Sequence, residues 1–168
     1  MFKLIKLETL GLIICTLSLL IAYIYFDLYK ELSACTLCVL DRFLLFGISI
    51  IFIITIFNQK RIFHKTLCSL SLFFCSIGLI STVRHIWLQT FKTNSEMDGF
   101  GCGGDFFYYL SNLPILEAII NIFDNPTPCN DIKWQLFGLS IPMYTFILFI
   151  ILTIISLILI MEKKDGRI

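Results

Sequence analysis

Apolar residues fall into four long blocks separated by short polar stretches. The first runs unbroken from Leu10 to Phe26 and stops at Asp27; the second begins near Cys38 and reaches Phe57. The third follows a polar turn over 58–65, and the fourth opens at Pro142, a favoured first-turn residue of a helix, and ends at Met161. About 20 apolar residues cross the hydrocarbon core of a bilayer as a helix. The pattern therefore predicts an all-α integral membrane protein, a four-transmembrane-helix bundle forming one domain over 1–168. The expected spans are about 10–28, 38–57, 66–85 and 142–161, with outer connections over 29–37 and 86–141. Tyr23, Tyr25 and Tyr29 gather towards the end of the first span, as interfacial aromatics do. A cleaved signal peptide is the alternative for that block, but no small-x-small site follows it and further spans come after.

The long second connection has a pattern of its own. Ile115, Leu116, Ile119, Ile120 and Phe123 share one helical face, with Glu117 and Asn121 opposite and Pro114 in the first turn. Together with the apolar Phe106–Leu110 stretch, this predicts a short amphipathic helix lying in the membrane interface. A fifth span is disfavoured by Asp105, Glu117 and Asp124, with Pro114 between them.

Composition agrees with the pattern. Of 168 residues, 58% are hydrophobic and only 15% charged, where a soluble domain carries about a quarter. There is no Gly-rich phosphate loop, no basic run interleaved with aromatics and no internal repeat, so nucleotide and nucleic-acid readings have no support. Charge then orients the bundle. Eight Lys and Arg lie in the N-terminus, the 58–65 turn and the C-terminal tail, against five in the much longer opposite connections. The positive-inside rule places both termini in the cytoplasm and the 29–37 and 86–141 connections on the outer side.

Seven cysteines divide along the same line. Cys15, Cys68 and Cys75 fall inside spans, where a thiol usually behaves as a small apolar group. Cys35, Cys38, Cys102 and Cys129 all fall on the outer side, which in a bacterial inner membrane is a compartment where disulfides persist. Cys35 and Cys38 have the spacing of a readily reduced dithiol. On a helix, Cys35, Cys38 and Arg42 lie at i, i+3 and i+7 and share a face. A helix N-terminus and a guanidinium four residues on would both favour a thiolate at Cys38. A chance Cys-x-x-Cys beside an arginine reaching for headgroups is the plainer alternative.

Cys102 sits among Gly101, Gly103 and Gly104, and Cys129 follows the turn-rich Asn125-Pro126-Thr127-Pro128. The two can pair, and a simple loop staple would account for them. A four-thiolate zinc site normally shows two Cys-x-x-Cys knuckles and here there is one, so no metal is expected. Covalent haem is excluded because Val39 follows Cys38. His64 and His85 are separated by about 31 Å of helix and cannot flank one iron.

These residues resemble the DsbB family of disulfide-bond formation proteins, four-span quinone reductases of the bacterial inner membrane. The resemblance is carried by Cys35-Thr-Leu-Cys38 with Arg42, Arg84-His85, Gly101-Cys102-Gly103, Cys129, and Trp134-Gln-Leu-Phe-Gly-Leu-Ser-Ile-Pro142, in family order. Ala34 stands where the family often has Pro, and Asp41 where Glu is common. The resemblance implies two redox pairs, Cys35–Cys38 and Cys102–Cys129, as catalytic residues. It further implies a quinone, ubiquinone or menaquinone, bound near Cys38, Arg42 and His85. The implied partners are a periplasmic DsbA-like thioredoxin-fold protein and the quinone pool of the bilayer. The Cys102–Cys129 pair would take electrons from that partner and pass them to Cys35–Cys38. A vitamin-K-epoxide-reductase-like oxidoreductase and a non-catalytic, disulfide-stabilised membrane protein are the rival readings.

Overall fold

The computed structural model describes residues 2–30, 35–57, 61–91, 112–114, 116–117 and 134–165. Helix α1 (Phe2–Leu20) continues into a wider π-helical segment, Ile21–Tyr29. Helices α2 (Thr36–Phe57) and α3 (Arg61–Phe91) follow. A two-residue-per-strand hairpin, β1 (Gln135–Leu136) and β2 (Leu139–Ser140), leads directly into α4 (Ile141–Asp165). Four helices are long and apolar enough to cross a membrane: Leu7–Tyr29, Thr36–Phe57, Ile62–Thr90 and Ile141–Met161. The third is longer than the expected 66–85 stretch, because the helix runs on through His64 at one end and through Trp87, Leu88 and Gln89 at the other. Of the expected interfacial helix over 115–123, only Leu116 and Glu117 are described, both exposed; the rest lies outside the described residues.

In lipid each backbone polar group must be satisfied within its own segment, which makes uninterrupted helices the available solution. The hydroxyls obey the same constraint. Thr16, Ser18, Thr55, Thr82 and Thr153 each donate to a carbonyl one turn back. The helices form a closed ring in which α1 packs on α2, α2 on α3, α3 on α4, and α4 on α1. Large apolar side chains such as Ile13, Leu17, Phe46, Phe73 and Ile80 point outward and are half or more exposed, the surface expected of a protein whose solvent is lipid.

Where apolar burial gives no preference for protein over lipid, helices associate through close approach and polar contacts. Helix α3 is built this way. His64, Cys68, Ser71, Cys75, Gly78, Thr82, His85 and Gln89 alternate at four- and three-residue intervals, and all are buried. This seam is small or polar along its whole length. Ser71 and Ser156 meet oxygen to oxygen at 3.1 Å between α3 and α4. At Gly78 the seam has no side chain because the Phe149 ring occupies the position a Cβ would take. Gly11 makes the same accommodation on α1, where an added Cβ would come 2.8 Å from Phe52. Phe52 and Phe149, with Ile48, Leu152, Leu159, Cys15 and Cys75, form the centre of the core.

The hairpin closes one end of this ring. Its turn residues Phe137 and Gly138 have φ of 52° and 78°, the left-handed pair that a two-residue hairpin turn requires. Gly138 adopts this at no steric cost, while Phe137 is strained and exposed. Ser140 donates to Gln89 Oε1 at 2.8 Å, and Tyr144 donates to the carbonyl of Leu136 at 2.9 Å, tying the hairpin to α3 and α4. Trp134 packs edge-on against Phe26, centroids 5.1 Å apart, and so joins the hairpin to the π-helical segment.

Candidate redox site

At the hairpin-covered end, α2 begins. Cys35 immediately precedes the helix, and its carbonyl accepts the first helical bond, from Val39 N–H at 3.0 Å. Its side chain does the work of a cap: the N–H of Cys38 points at Cys35 Sγ, 3.4 Å away. A sulfur thus stands where a Ser or Asp oxygen usually satisfies an orphan donor of the first turn. The spacing of two intervening residues follows from this geometry, since a cap residue meets the third helical N–H. It also brings the two sulfurs together at 3.0 Å, both as thiols and both partly accessible. The negative charge of a thiolate at this place faces a backbone N–H and the positive end of the α2 dipole.

Helix α3 supplies the third member. Its last turns carry His85, buried to 2% exposure, with Nε2 3.7 Å from Cys35 Sγ. Cys35 Sγ, Cys38 Sγ and His85 Nε2 all lie within 4.8 Å of one another. Asp41, one turn along α2 from Leu37, is also buried, with the Ser81 hydroxyl of α3 close by and His85 and Cys35 in electrostatic reach. Among the described residues, four buried side-chain polar atoms lack a hydrogen-bond partner, and three of them gather here: Asp41 Oδ1, Ser81 Oγ and His85 Nδ1. Leaving such groups unpaired costs about 1–3 kcal/mol each, and sites that tolerate the cost are typically functional.

Arg42 is engaged differently from the expectation of a simple i+4 contact with Cys38. Its guanidinium grips Asp27 through two nitrogens, Nη1 to Oδ2 at 2.5 Å and Nη2 to Oδ1 at 2.9 Å, and Nη2 also donates to the carbonyl of Ala22 at 3.3 Å. Both acceptors lie in the π-helical segment of the first span. Irregular helix of this type recurs at functional sites, and here it presents a carboxylate and a carbonyl to one cation. Cys35, Cys38 and His85 are thus brought together, while Arg42, one turn beyond Cys38 on α2, is held by Asp27 and Ala22 of the first span. Cys102 and Cys129 lie outside the described residues.

Asp27 and Ser81 were not singled out by sequence reasoning. Asp27 had one visible signal, an acid ending an apolar run four residues after Tyr23; Ser81 had none, because a serine in a span is unremarkable until the facing helix is known.

The family model for "Disulfide bond formation protein DsbB" matches residues 6–159. The chain belongs to the DsbB family. A disulfide bond formation protein B from Nitrosococcus oceani is 32% identical over 149 residues, covering 88% of this chain and 86% of the relative. One from Methylobacillus flagellatus is 30% identical over 135 residues, 80% of each chain, and one from Xylella fastidiosa is 26% identical over 159 residues, 94% and 89%. No solved structure matches at a significant level. Membership of the DsbB family removes the vitamin-K-epoxide-reductase-like reading and agrees with a multi-pass membrane protein whose role is in disulfide bond formation.

Proposed function

We propose that this DsbB-family chain reoxidises a DsbA-like thioredoxin-fold dithiol protein and delivers the electrons to a membrane quinone. The single observation that carries the proposal is the meeting of Cys35 Sγ, Cys38 Sγ and His85 Nε2 at the start of a membrane span. A thiol pair serving stability alone needs neither an adjoining buried imidazole nor access to the membrane boundary. With the termini cytoplasmic, as the distribution of Lys and Arg argues, this end faces the periplasm of a bacterial inner membrane.

Thiol–disulfide exchange supplies the steps. A thiolate of the reduced partner attacks Cys102 in a Cys102–Cys129 disulfide, forming a mixed disulfide and releasing Cys129 as thiolate. The partner's second thiol displaces Cys102, so the partner leaves oxidised and both loop cysteines are reduced. Cys129 then attacks Cys35 of the Cys35–Cys38 disulfide, Cys38 leaves as thiolate, and Cys102 resolves the new bond. The loop pair is oxidised again, and two electrons and two protons now reside on Cys35 and Cys38. The Cys38 N–H at Cys35 Sγ stabilises the charge that appears there, and His85 Nε2 is in reach to take and return the proton of Cys35.

The residues present fit a quinone at this end. Orphaned polar atoms of Asp41 and His85 offer hydrogen-bond capacity to a polar ring, beside two partly accessible sulfurs and a braced cation. A quinone, when bound, supplies a two-electron, two-proton acceptor. Arg42, held in orientation by Asp27, contributes positive charge where electrons leave the sulfurs.

The test is quinone reduction by purified protein given reduced partner. Cys38→Ser removes the sulfur from which electrons depart and is expected to reduce turnover to background while still oxidising one equivalent of partner through the Cys102–Cys129 disulfide. Undiminished quinone reduction by that variant would overturn the proposal.

A further inference from the structure

The same three atoms that suit electron transfer also make an incomplete tetrahedron of soft ligands. We propose that the reduced Cys35–Cys38 pair together with His85 binds one thiophilic divalent cation, zinc being the natural candidate, and that the bound cation arrests the dithiol. The consequence for turnover rests on the function proposed above; the binding itself does not.

Geometry is the first support. A zinc ion takes thiolate sulfur at about 2.3 Å and imidazole nitrogen at about 2.0–2.1 Å in a tetrahedral arrangement, which sets sulfur–sulfur and sulfur–nitrogen separations of about 3.8 and 3.6 Å. Cys35 Sγ and His85 Nε2 already stand 3.7 Å apart. The two sulfurs, at 3.0 Å, need only to open by a fraction of a bond length. Cys35 precedes the helix instead of lying within it, so its side chain can make that adjustment while its sulfur still faces the Cys38 N–H that it caps.

The surroundings are the second support. A histidine that ligates a metal through one nitrogen normally donates its other N–H to a carboxylate, which fixes the ring and raises its basicity. His85 offers Nε2 to the sulfurs, while its Nδ1 is buried without a hydrogen-bond partner. The buried carboxyl of Asp41, with Oδ1 also unpartnered, lies in electrostatic reach of the same ring. Zinc on Nε2 gives both orphans a purpose: the Nδ1 proton turns to Asp41. Two thiolates and a neutral imidazole carry a net charge of −2, which the cation neutralises in a site closed to bulk water on the α3 side. Three protein ligands leave the fourth position to water.

This is a different site from a four-cysteine zinc ribbon, since it draws on one Cys-x-x-Cys and a histidine 47 residues beyond Cys38 in the chain. It exists only in the reduced protein. A disulfide between Cys35 and Cys38 removes both thiolate ligands, so oxidation expels the cation and the cation opposes oxidation. Zinc at this place acts as a reversible brake on the working dithiol.

Cobalt(II) titration of the full chain in detergent, reduced and free of quinone and partner, reads the site directly. One equivalent is expected to bind with thiolate-to-metal charge-transfer absorption and the visible bands of a tetrahedral ion, displaced by zinc. The Cys35–Cys38-oxidised protein is expected to show neither. His85→Ala, which removes a ligand, weakens binding by about a hundredfold or more, and Asp41→Asn by about tenfold, as expected for an outer-shell partner. Cys102→Ser/Cys129→Ser leaves the spectrum unchanged. A spectrum that persists in His85→Ala with undiminished affinity, or that vanishes in Cys102→Ser/Cys129→Ser, overturns the three-ligand site. If a histidine variant fails to fold, zinc protection of Cys35 and Cys38 against maleimide in the unaltered chain gives the answer: no protection at stoichiometric zinc overturns the proposal. Because neither readout uses quinone, failure of the electron-transfer scheme leaves this result interpretable.

Discussion

Each end of the bundle holds a cysteine, a histidine and a carboxylate, and the two sets behave as opposites. At the end where α1 begins, His64 Nε2 meets Glu8 Oε1 at 2.5 Å and His64 Nδ1 meets Cys68 Sγ at 3.6 Å. None of the three is more than 2% exposed. At the end where α2 begins, His85 engages Cys35 through one nitrogen and leaves the other unpaired, next to a carboxyl with a spare oxygen and two accessible sulfurs. The ingredients are the same. Both carboxyls keep one oxygen unpaired, so three other differences decide their use: a second thiol, a route in from outside, and an imidazole with one nitrogen unengaged. A buried thiol whose imidazole is already committed on both sides is a structural group, while one beside a half-engaged imidazole is available for chemistry.

The sharpest way to break this comparison is to exchange the cysteines' fates. Cys38→Ser is expected to abolish quinone reduction, whereas Cys68→Ser changes it by less than about twofold, since a buried thiol acts through packing. Equal losses in the two variants would erase the distinction. Next in size is the buried Glu8–His64 contact. Removing one partner of a buried hydrogen bond leaves the other unsatisfied and costs about 1–3 kcal/mol. His64→Ala should therefore destabilise the bundle by about 2 kcal/mol in reversible denaturation, and Glu8→Gln/His64→Gln, which substitutes a hydrogen-bonded amide pair, should recover much of it. The smallest effect sharpens the accessible end. Asp27→Asn removes one anionic partner of Arg42 and should slow quinone reduction by about tenfold, the scale of a charge-assisted hydrogen bond, with no change in the rate of exchange with the partner.

The four spans were legible because lipid demands long apolar blocks, and nothing else in 168 residues competes with that signal. The Cys35–Cys38 spacing was legible because a cap residue and the third helical residue are neighbours by local geometry alone. The contacts of the first span's carboxylates were not. Glu8 lies just ahead of the Leu10–Phe26 block and Asp27 at its end; each meets its nitrogen partner only when α1 and the π-helical segment pack against α3 and α2. Arg42 stood out beside the cysteines but its posture did not, since the helical face it shares with Cys38 says nothing of a carboxylate 15 residues earlier. The hairpin escaped notice for a related reason: its turn uses Phe137 in a conformation that phenylalanine disfavours, held by Tyr144, Gln89 and Trp134 from elsewhere in the fold.

The buried stripe of α3 carries His64 near one extremity and His85 near the other, seated on a single rod wedged by Phe149 against Gly78. Such a helix works like an axle keyed at both wheels. It cannot swivel to retune the imidazole near the sulfurs without also unseating the one gripped by Glu8. The enclosed pair at the far side is therefore a clutch for the reactive side, holding the rotational setting of a histidine some six turns away.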